Sequence, residues 1–291
     1  MKFSLFVPSA NPFASPEMLR ALARQAEERG FDALWVPEHV VLFDEYASSY
    51  PYAADGRIPA PPGSGMLDPF GTLTFLAACT ETIRLGTAIC LLPQRNPVYT
   101  AHEVATADWL SNGRIDFGIG IGWLEEEFVA LGVPWPARGK RNDDYIGLLK
   151  ALWTEDVATY DGEFHSVRNV RQDPKPVQQP YPPLIIGGES DAALRRVVAH
   201  GDGWLGFGHM PDTAAERIAR LGALLEEDGR SIADVQVKVC PYFNPIDEQA
   251  VEQFAEAGVG ELVAFFFADS AESVAPALDG LTALQERAQS L

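Results

Sequence analysis

Short runs rich in β-branched and aromatic residues alternate with amphipathic helical stretches along the whole chain, and this alternation constrains the fold more than any single motif. Runs at 2–7, 33–37, 83–89, 114–120, 184–187, 203–205, 235–241 and 261–266 read as strands. Between them, apolar residues recur at three- and four-residue spacing: Leu19, Leu22, Ala23 and Ala26, then Ile218, Leu221 and Leu225, then Val274, Leu278 and Leu281. Asn96-Pro97 and Asp212-Thr213 offer helix starts, and Gly30 and Gly201 suit helix stops. Strand and helix in strict alternation mean parallel strands joined by crossover helices. Eight such strands are enough to close a barrel, so the pattern predicts an α/β fold of the (β/α)8 type; an open doubly wound sheet is the other arrangement it allows. A length of 291 residues suits one such barrel with insertions, and 1–291 is read as a single domain.

Two connections are too long to be simple loops. The first, 40–67, follows the second strand and places Phe43, Tyr46, Tyr50 and Tyr52 among Pro59, Pro61, Pro62, Gly63 and Gly65, a composition suited to a hinged lid. The second, 155–183, contains a probable-turn sequence, Tyr160-Asp161-Gly162-Glu163-Phe164, expected to form a hairpin with Asp-Gly as its turn. The net charge of -19 repels nucleic-acid phosphate and anionic lipid alike, so neither is expected as a partner. No basic leader with a long apolar core opens the chain and no apolar run is long enough to span a bilayer, which points to a cytoplasmic protein. Cys79, Cys90 and Cys240 are isolated and suggest neither a disulfide framework nor a zinc site; His102-Glu103-Val104-Ala105-Thr106 lacks the second histidine of a zinc helix, and no metal is expected.

Chemistry is concentrated at the carboxyl ends of the strands, the face of a barrel that carries active sites. The second strand ends in Glu38-His39, and an imidazole there titrates near neutral pH and can exchange a proton. Alternation sends Trp35, Pro37 and His39 to one side and Val36 and Glu38 to the other, so no direct pair between Glu38 and His39 is expected; packing or solubility is the plainer use of His39. The third strand ends in small residues, Gly86-Thr87-Ala88-Ile89, which serve close approach or packing equally well. In Gly118-Ile119-Gly120-Ile121-Gly122-Trp123, alternate glycines remove side chains where a flat ligand or another backbone can come close. A dinucleotide fingerprint fails there, because the third glycine it needs is replaced by Trp123 or Glu125. Gly187-Gly188-Glu189-Ser190-Asp191 joins a strand to a helix start, either as an anion site for a cofactor phosphate or as a glycine turn with Ser190 or Asp191 as cap. His209 follows the sixth strand at the rim where substrate or cofactor would lie. Arg95, Arg138 and Arg141 are candidates for an anionic cofactor tail, or simply solvated.

Several of these pieces, taken in order, resemble the luciferase-like monooxygenase superfamily, and most closely its branch of oxidoreductases dependent on the deazaflavin coenzyme F420. The residues that carry the likeness are Gly30-Phe31-Asp32-Ala33-Leu34-Trp35-Val36-Pro37-Glu38-His39, Ile83-Arg84-Leu85-Gly86-Thr87 with Arg95-Asn96-Pro97, the stretch 113–123, Pro174-Lys175-Pro176-Val177-Gln178 leading to Gly187-Gly188, and Gly201-Asp202-Gly203-Trp204. The resemblance implies a TIM barrel of the bacterial luciferase-like type acting as an oxidoreductase, with hydride moving between F420 and a small organic substrate. It implies His39 and Glu38 as catalytic residues, and cofactor contacts from Ala88, Ile89, Gly120, Ile121, Gly122, Trp123, Gly187, Gly188, Glu189, Ser190 and His209. A non-prolyl cis peptide at Ala88 to Ile89 and a homodimer through helices near 68–79 and 98–110 are further implications. Members acting on a sugar phosphate carry a lysine after the sixth strand and a glutamate after the third glycine of the fourth-strand run; His209-Met210 and Trp123 stand here instead, which argues against such a substrate. Use of reduced FMN with oxygen is the alternative within the superfamily, and a flavin-binding protein without catalysis is the alternative outside enzymes.

Overall fold

Eight of the ten strands among the described residues are short, parallel and buried on both faces, so they read as near-continuous apolar runs. They are β1 (Lys2–Phe6), β2 (Ala33–Val36), β3 (Arg84–Thr87), β4 (Ile115–Ile119), β7 (Leu184–Gly187), β8 (Gly203–Phe207), β9 (Gln236–Cys240) and β10 (Glu261–Phe265); β5 (Ala158–Asp161) and β6 (Ser166–Val170) form a separate antiparallel hairpin. In the computed structural model, which describes residues 1–61 and 63–291, the eight close into a barrel in the order β1-β2-β3-β4-β7-β8-β9-β10, and the last pairs in parallel with the first. The closed ring decides for the (β/α)8 barrel over the open sheet. Pro62 lies outside the described residues.

The crossover helices are α1 (Pro16–Glu28), α2 (Pro69–Ala77), α3 (Pro97–Leu110), α4 (Glu125–Ala130), α5 (Arg138–Thr154), α6 (Asp191–His200), α7 (Pro211–Glu227), α8 (Glu248–Glu256), α9 (Ala271–Asp279) and α10 (Thr282–Gln289). Their starts follow local chemistry. Asn96 caps α3 by accepting from the N–H groups of Val98 and Tyr99, with Pro97 in its first turn, and Ser190 rather than Asp191 caps α6 by accepting from Ala193. The apolar stripe of α1, Met18, Leu19, Leu22, Ala23 and Ala26, is wholly buried against the barrel.

Side chains alternate between two clusters. Leu34 and Val36 of β2 pack outward under the helices, while Ala33 and Trp35 join Phe6, Ile185, Leu205 and Val263 inside the barrel. Trp35 is accommodated because β3 has a glycine opposite it: a Cβ on Gly86 would lie 2.4 Å from the indole. Below Trp35 the interior is polar. Lys238 pairs with Glu261, which also accepts from Ser4 Oγ at 2.7 Å and from Trp35 Nε1 at 2.9 Å.

Two expectations need adjusting. The third strand stops at Thr87 rather than 89, because Ala88 still donates to Val36 but Cys90 then donates to Gly118, and the chain swings toward β4. The Ala88–Ile89 peptide bond is cis. The hairpin turn is longer than Asp-Gly: β5 runs through Asp161 and Gly162 donates to His165, since the Asp144 carboxylate of α5 collects the N–H groups of Glu163, Phe164 and His165. No described helix is long and apolar enough to cross a membrane.

Candidate active site

A cavity of about 950 Å³ opens at the carboxyl ends of the barrel strands. One wall is made by β3, β4 and β7. Ile89 fits a notch between two glycines: a Cβ on Gly120 would fall 1.9 Å from its Cδ1, and one on Gly187 would fall 2.8 Å from its Cγ2. A Cβ on Gly118 would fall 1.8 Å from the carbonyl oxygen of Thr87. The alternate glycines therefore admit the segment that leaves β3, and that segment presents Ala88 and Ile89 to the cavity. Gly120 itself lies behind the wall and does not line the cavity, unlike Ile121, Gly122 and Trp123.

His39 and Glu38 both reach the cavity but part company, as strand alternation requires. His39 Nδ1 lies 3.1 Å from a carboxylate oxygen of Glu127, which is 1% exposed. The other oxygen of Glu127 accepts from the backbone N–H of Val40 at 2.6 Å and Val41 at 3.3 Å. A carboxylate only accepts, so the proton between them is on Nδ1. Nε2 has no hydrogen-bond partner among the described residues. Glu38 is instead locked by the Leu91 N–H at 2.6 Å and by Arg95, whose guanidinium also holds Glu103 at 2.7 Å. Burial disfavours the charge on Arg95, and Cys90, Glu38 and Glu103 together more than offset it. Glu38 thus supports the wall with both oxygens engaged.

The insertion 40–67 covers the mouth. Trp123 meets His39 at 5.6 Å and Tyr50 at 5.1 Å between ring centroids, and Tyr52 meets Phe207 at 4.8 Å. Burial pushes the phenols of Tyr50, Tyr52 and Tyr242 up, so they remain neutral donors. The loop is held from α4: Glu126 accepts from the N–H groups of Ala47 at 2.6 Å and Ser48 at 3.1 Å and from Ser48 Oγ at 2.7 Å, while Glu127 takes Val40 and Val41.

At the far side Gly187, Gly188, Glu189 and Ser190 line the cavity where the capped start of α6 meets it. A Cβ on Gly187 would strike Ile89, and Gly188 has φ of +121°, so the backbone comes to the cavity bare. Ala88 and Ile89 would back a planar ring, and the α6 start would offer backbone N–H groups and the helix dipole to a tail phosphate. Arg217 and Arg220 stand behind, paired with Asp191 at 2.8 and 2.7 Å. His209 does not line the cavity; it pairs with Glu189, which also accepts from the Phe207 N–H at 2.9 Å. The three arginines considered for an anionic tail are spent elsewhere. Arg95 serves Glu38, Arg138 stacks on Trp135 with its guanidinium 3.5 Å from the ring centroid, and Arg141 donates to the carbonyls of Pro134 and Pro136.

Sequence reasoning missed Glu127, the partner of His39, and the aromatics of the opposite wall. Both belong to residues far apart in the chain, and the only signal was the acidic run Glu125-Glu126-Glu127, which reads equally as ordinary charge at a helix start.

The sequence pattern of the luciferase-like monooxygenases matches residues 1–289. The chain belongs to the luciferase-like monooxygenase family. A protein of Mycobacterium tuberculosis (strain H37Rv) is 33% identical to this family member over 210 residues, 72% of each chain. The FMNH(2)-dependent dimethylsulfone monooxygenase of Pseudomonas putida is 36% identical over 121 residues, 40% of this chain and 33% of that protein. Among solved structures, the coenzyme F420 dependent tetrahydromethanopterin reductase of Methanopyrus kandleri superposes with a TM-score of 0.74 at 16% identity, covering 94% of this chain and 96% of its own. Family members of this barrel are thus oxidoreductases or monooxygenases, with F420-dependent and FMN-dependent proteins both among the similar ones.

Proposed function

We propose that this protein is an oxidoreductase that moves a hydride between coenzyme F420 and a small organic substrate, with His39 handling the accompanying proton. The observation that carries the reading is the His39 imidazole, fixed through Nδ1 by Glu127 with Nε2 unpaired at the cavity. Bound deazaflavin supplies a carbon centre that exchanges hydride and reacts sluggishly with oxygen. With the cofactor bound as hydride partner, His39 Nε2 would take the hydroxyl proton of an alcohol as its carbon-bound hydrogen departs as hydride, and would return a proton to the oxygen of a carbonyl in the reverse direction. Ala88 and Ile89 back the ring, Glu38 and Arg95 brace that wall, and the 40–67 insertion excludes water. A non-catalytic flavin carrier has no use for an imidazole held in one tautomer.

Anaerobic titration with F420 tests the reading. Saturable binding together with absorbance change on substrate addition is expected; no binding would overturn it. A second reading, a monooxygenase using reduced FMN and oxygen, draws on the likeness to the dimethylsulfone monooxygenase. Oxygen consumption with reduced FMN and substrate, absent with F420, would favour it. The same reading takes the protein to be a homodimer, in keeping with Tyr99, Trp109 and Leu110 left exposed on α3. Sedimentation at micromolar concentration checks this, and a monomer there would reject it.

A further inference from the structure

The cavity has two unlike halves. Opposite the wall of β3, β4 and β7, the strand ends of β8, β9, β10 and β1 supply Phe207, Tyr242, Phe265 and Phe6. Their rings form one surface, with centroids 5.3 Å apart for Phe6 and Phe207, 4.5 Å for Phe207 and Tyr242, and 5.7 Å for Tyr242 and Phe265. Phe243 extends this surface from Phe265 at 4.5 Å, and Phe267 pairs with Phe13 at 5.3 Å. Phe243 and Phe267 both line the cavity yet remain 54% and 51% exposed. Half-bare aromatics on a concave apolar surface gain from being covered by a ligand.

The lining has no lysine or arginine among the described residues. Its two carboxylates are engaged within the protein, Glu38 by Arg95 and Glu189 by hydrogen bonds with His209 and the Phe207 N–H. An anionic group entering the aromatic half would lose its hydration and find no counterion, under a surface whose net charge is -19. A volume of about 950 Å³ is near the upper end for a single drug-sized ligand, which leaves room for a substrate body beside a ring on the opposite wall. The polar groups that remain there are the Nε2 of His39, the phenols of Tyr50, Tyr52 and Tyr242, the Asn11 amide and the Ser64 hydroxyl.

Resting on the hydride-transfer reading, we infer that the substrate is an uncharged, mainly apolar alcohol or ketone: its single oxygen reaches His39 and its hydrocarbon body lies on the aromatic surface of β8, β9, β10 and β1. Carboxylated and phosphorylated compounds of the same size are excluded by that surface.

Calorimetric titration of the protein alone with hexan-2-one, octan-2-one, decan-2-one and octanoate reads this without depending on turnover. Affinity should rise about fourfold per methylene along the ketones, and octanoate should bind at least about 30-fold more weakly than octan-2-one. A flat chain-length series, or octanoate binding as tightly as the ketone, overturns the inference. Phe243→Lys and Phe267→Lys sit at half-exposed positions that the core does not need. Each should weaken decan-2-one at least about fivefold and strengthen octanoate; unchanged affinities in both variants place the substrate body elsewhere and overturn it. Turnover with F420 then separates the two claims. Ketones that bind by these rules but are not turned over leave the surface standing and reject hydride transfer, whereas turnover confined to carboxylated substrates rejects the surface and keeps hydride transfer.

Discussion

In the proposed reaction His39 depends on Glu127, a partner 88 residues away in the chain. Glu127 fixes the proton on Nδ1, and Glu127→Gln should undo this while keeping the fold. The glutamine oxygen can still accept from Val40 and Val41, but its amide then donates to Nδ1 and drives the imidazole proton to Nε2. Turnover of an alcohol should fall by about 100-fold with cofactor affinity within a factor of about three; unaltered turnover would show that the pair is not used. The glycines make a second residue-level case. Gly118→Ala puts a methyl 1.8 Å from a backbone oxygen that cannot step aside, and a loss of at least about 3 kcal/mol in urea unfolding is expected. His39 was legible because a polar residue ending an apolar strand is conspicuous. That close approach occurs at the alternate glycines was legible too. What approaches was not, since sequence spacing along β4 holds no information about where the segment after β3 turns, and that segment proved to be Thr87 and Ile89.

At the scale of elements, the six-residue helix α4 holds the 40–67 insertion with two adjacent side chains. Burial tends to raise the Glu126 carboxyl, but the hydrogen bonds from Ser48 and Ala47 outweigh it and bring the group down to about 2. A carboxyl lowered on docking contributes to docking fully above its ordinary value of 4.5, and the contribution is lost as pH falls through about 2. Protection factors of the Ala47 and Ser48 amides, taken against their intrinsic exchange rates at each pH, should therefore hold at pH 5 and fall on acidification toward pH 2, well before those of the barrel amides. Glu126→Ala should give the same local fall at pH 7; protection unchanged in that variant would mean the loop is held by its aromatics alone. The sequence revealed that 40–67 was too long for a connection and rich in rings and prolines. Its fastening was hidden, because three consecutive glutamates at a helix start satisfy the helix dipole on their own and give no hint of hydrogen bonds reaching back about eighty residues.

Across the whole molecule the eightfold alternation narrowed the fold to a barrel or an open doubly wound sheet, since each amphipathic helix needs a sheet to cover and crossovers are right-handed, and closure of the ring decided between them. The polar floor beneath Trp35 was not legible. Strands buried on both faces show no alternation of polarity, so the inward direction of Lys238 and Glu261 is settled only by closure. Burial pushes the Glu261 carboxyl up, and Lys238, Ser4 and Trp35 more than reverse this, leaving it below its ordinary value. Its contribution is present in full above that value and lost as the carboxyl takes up its proton on acidification. Lys238→Met strands the carboxylate and should cost about 3–5 kcal/mol in unfolding free energy; adding Glu261→Leu should recover most of it, and a double variant as unstable as the single one would show that the pair itself is indispensable.

The hydrocarbon-walled hollow within so acidic a shell has a practical consequence at the bench. It behaves toward solutes as a small immiscible phase, so anything that makes water a better home for greasy molecules competes with it. Dimethyl sulfoxide or detergent added to dissolve a sparingly soluble compound would lower apparent affinity without touching a single side chain, and screens run under such conditions would overlook the best substrates first.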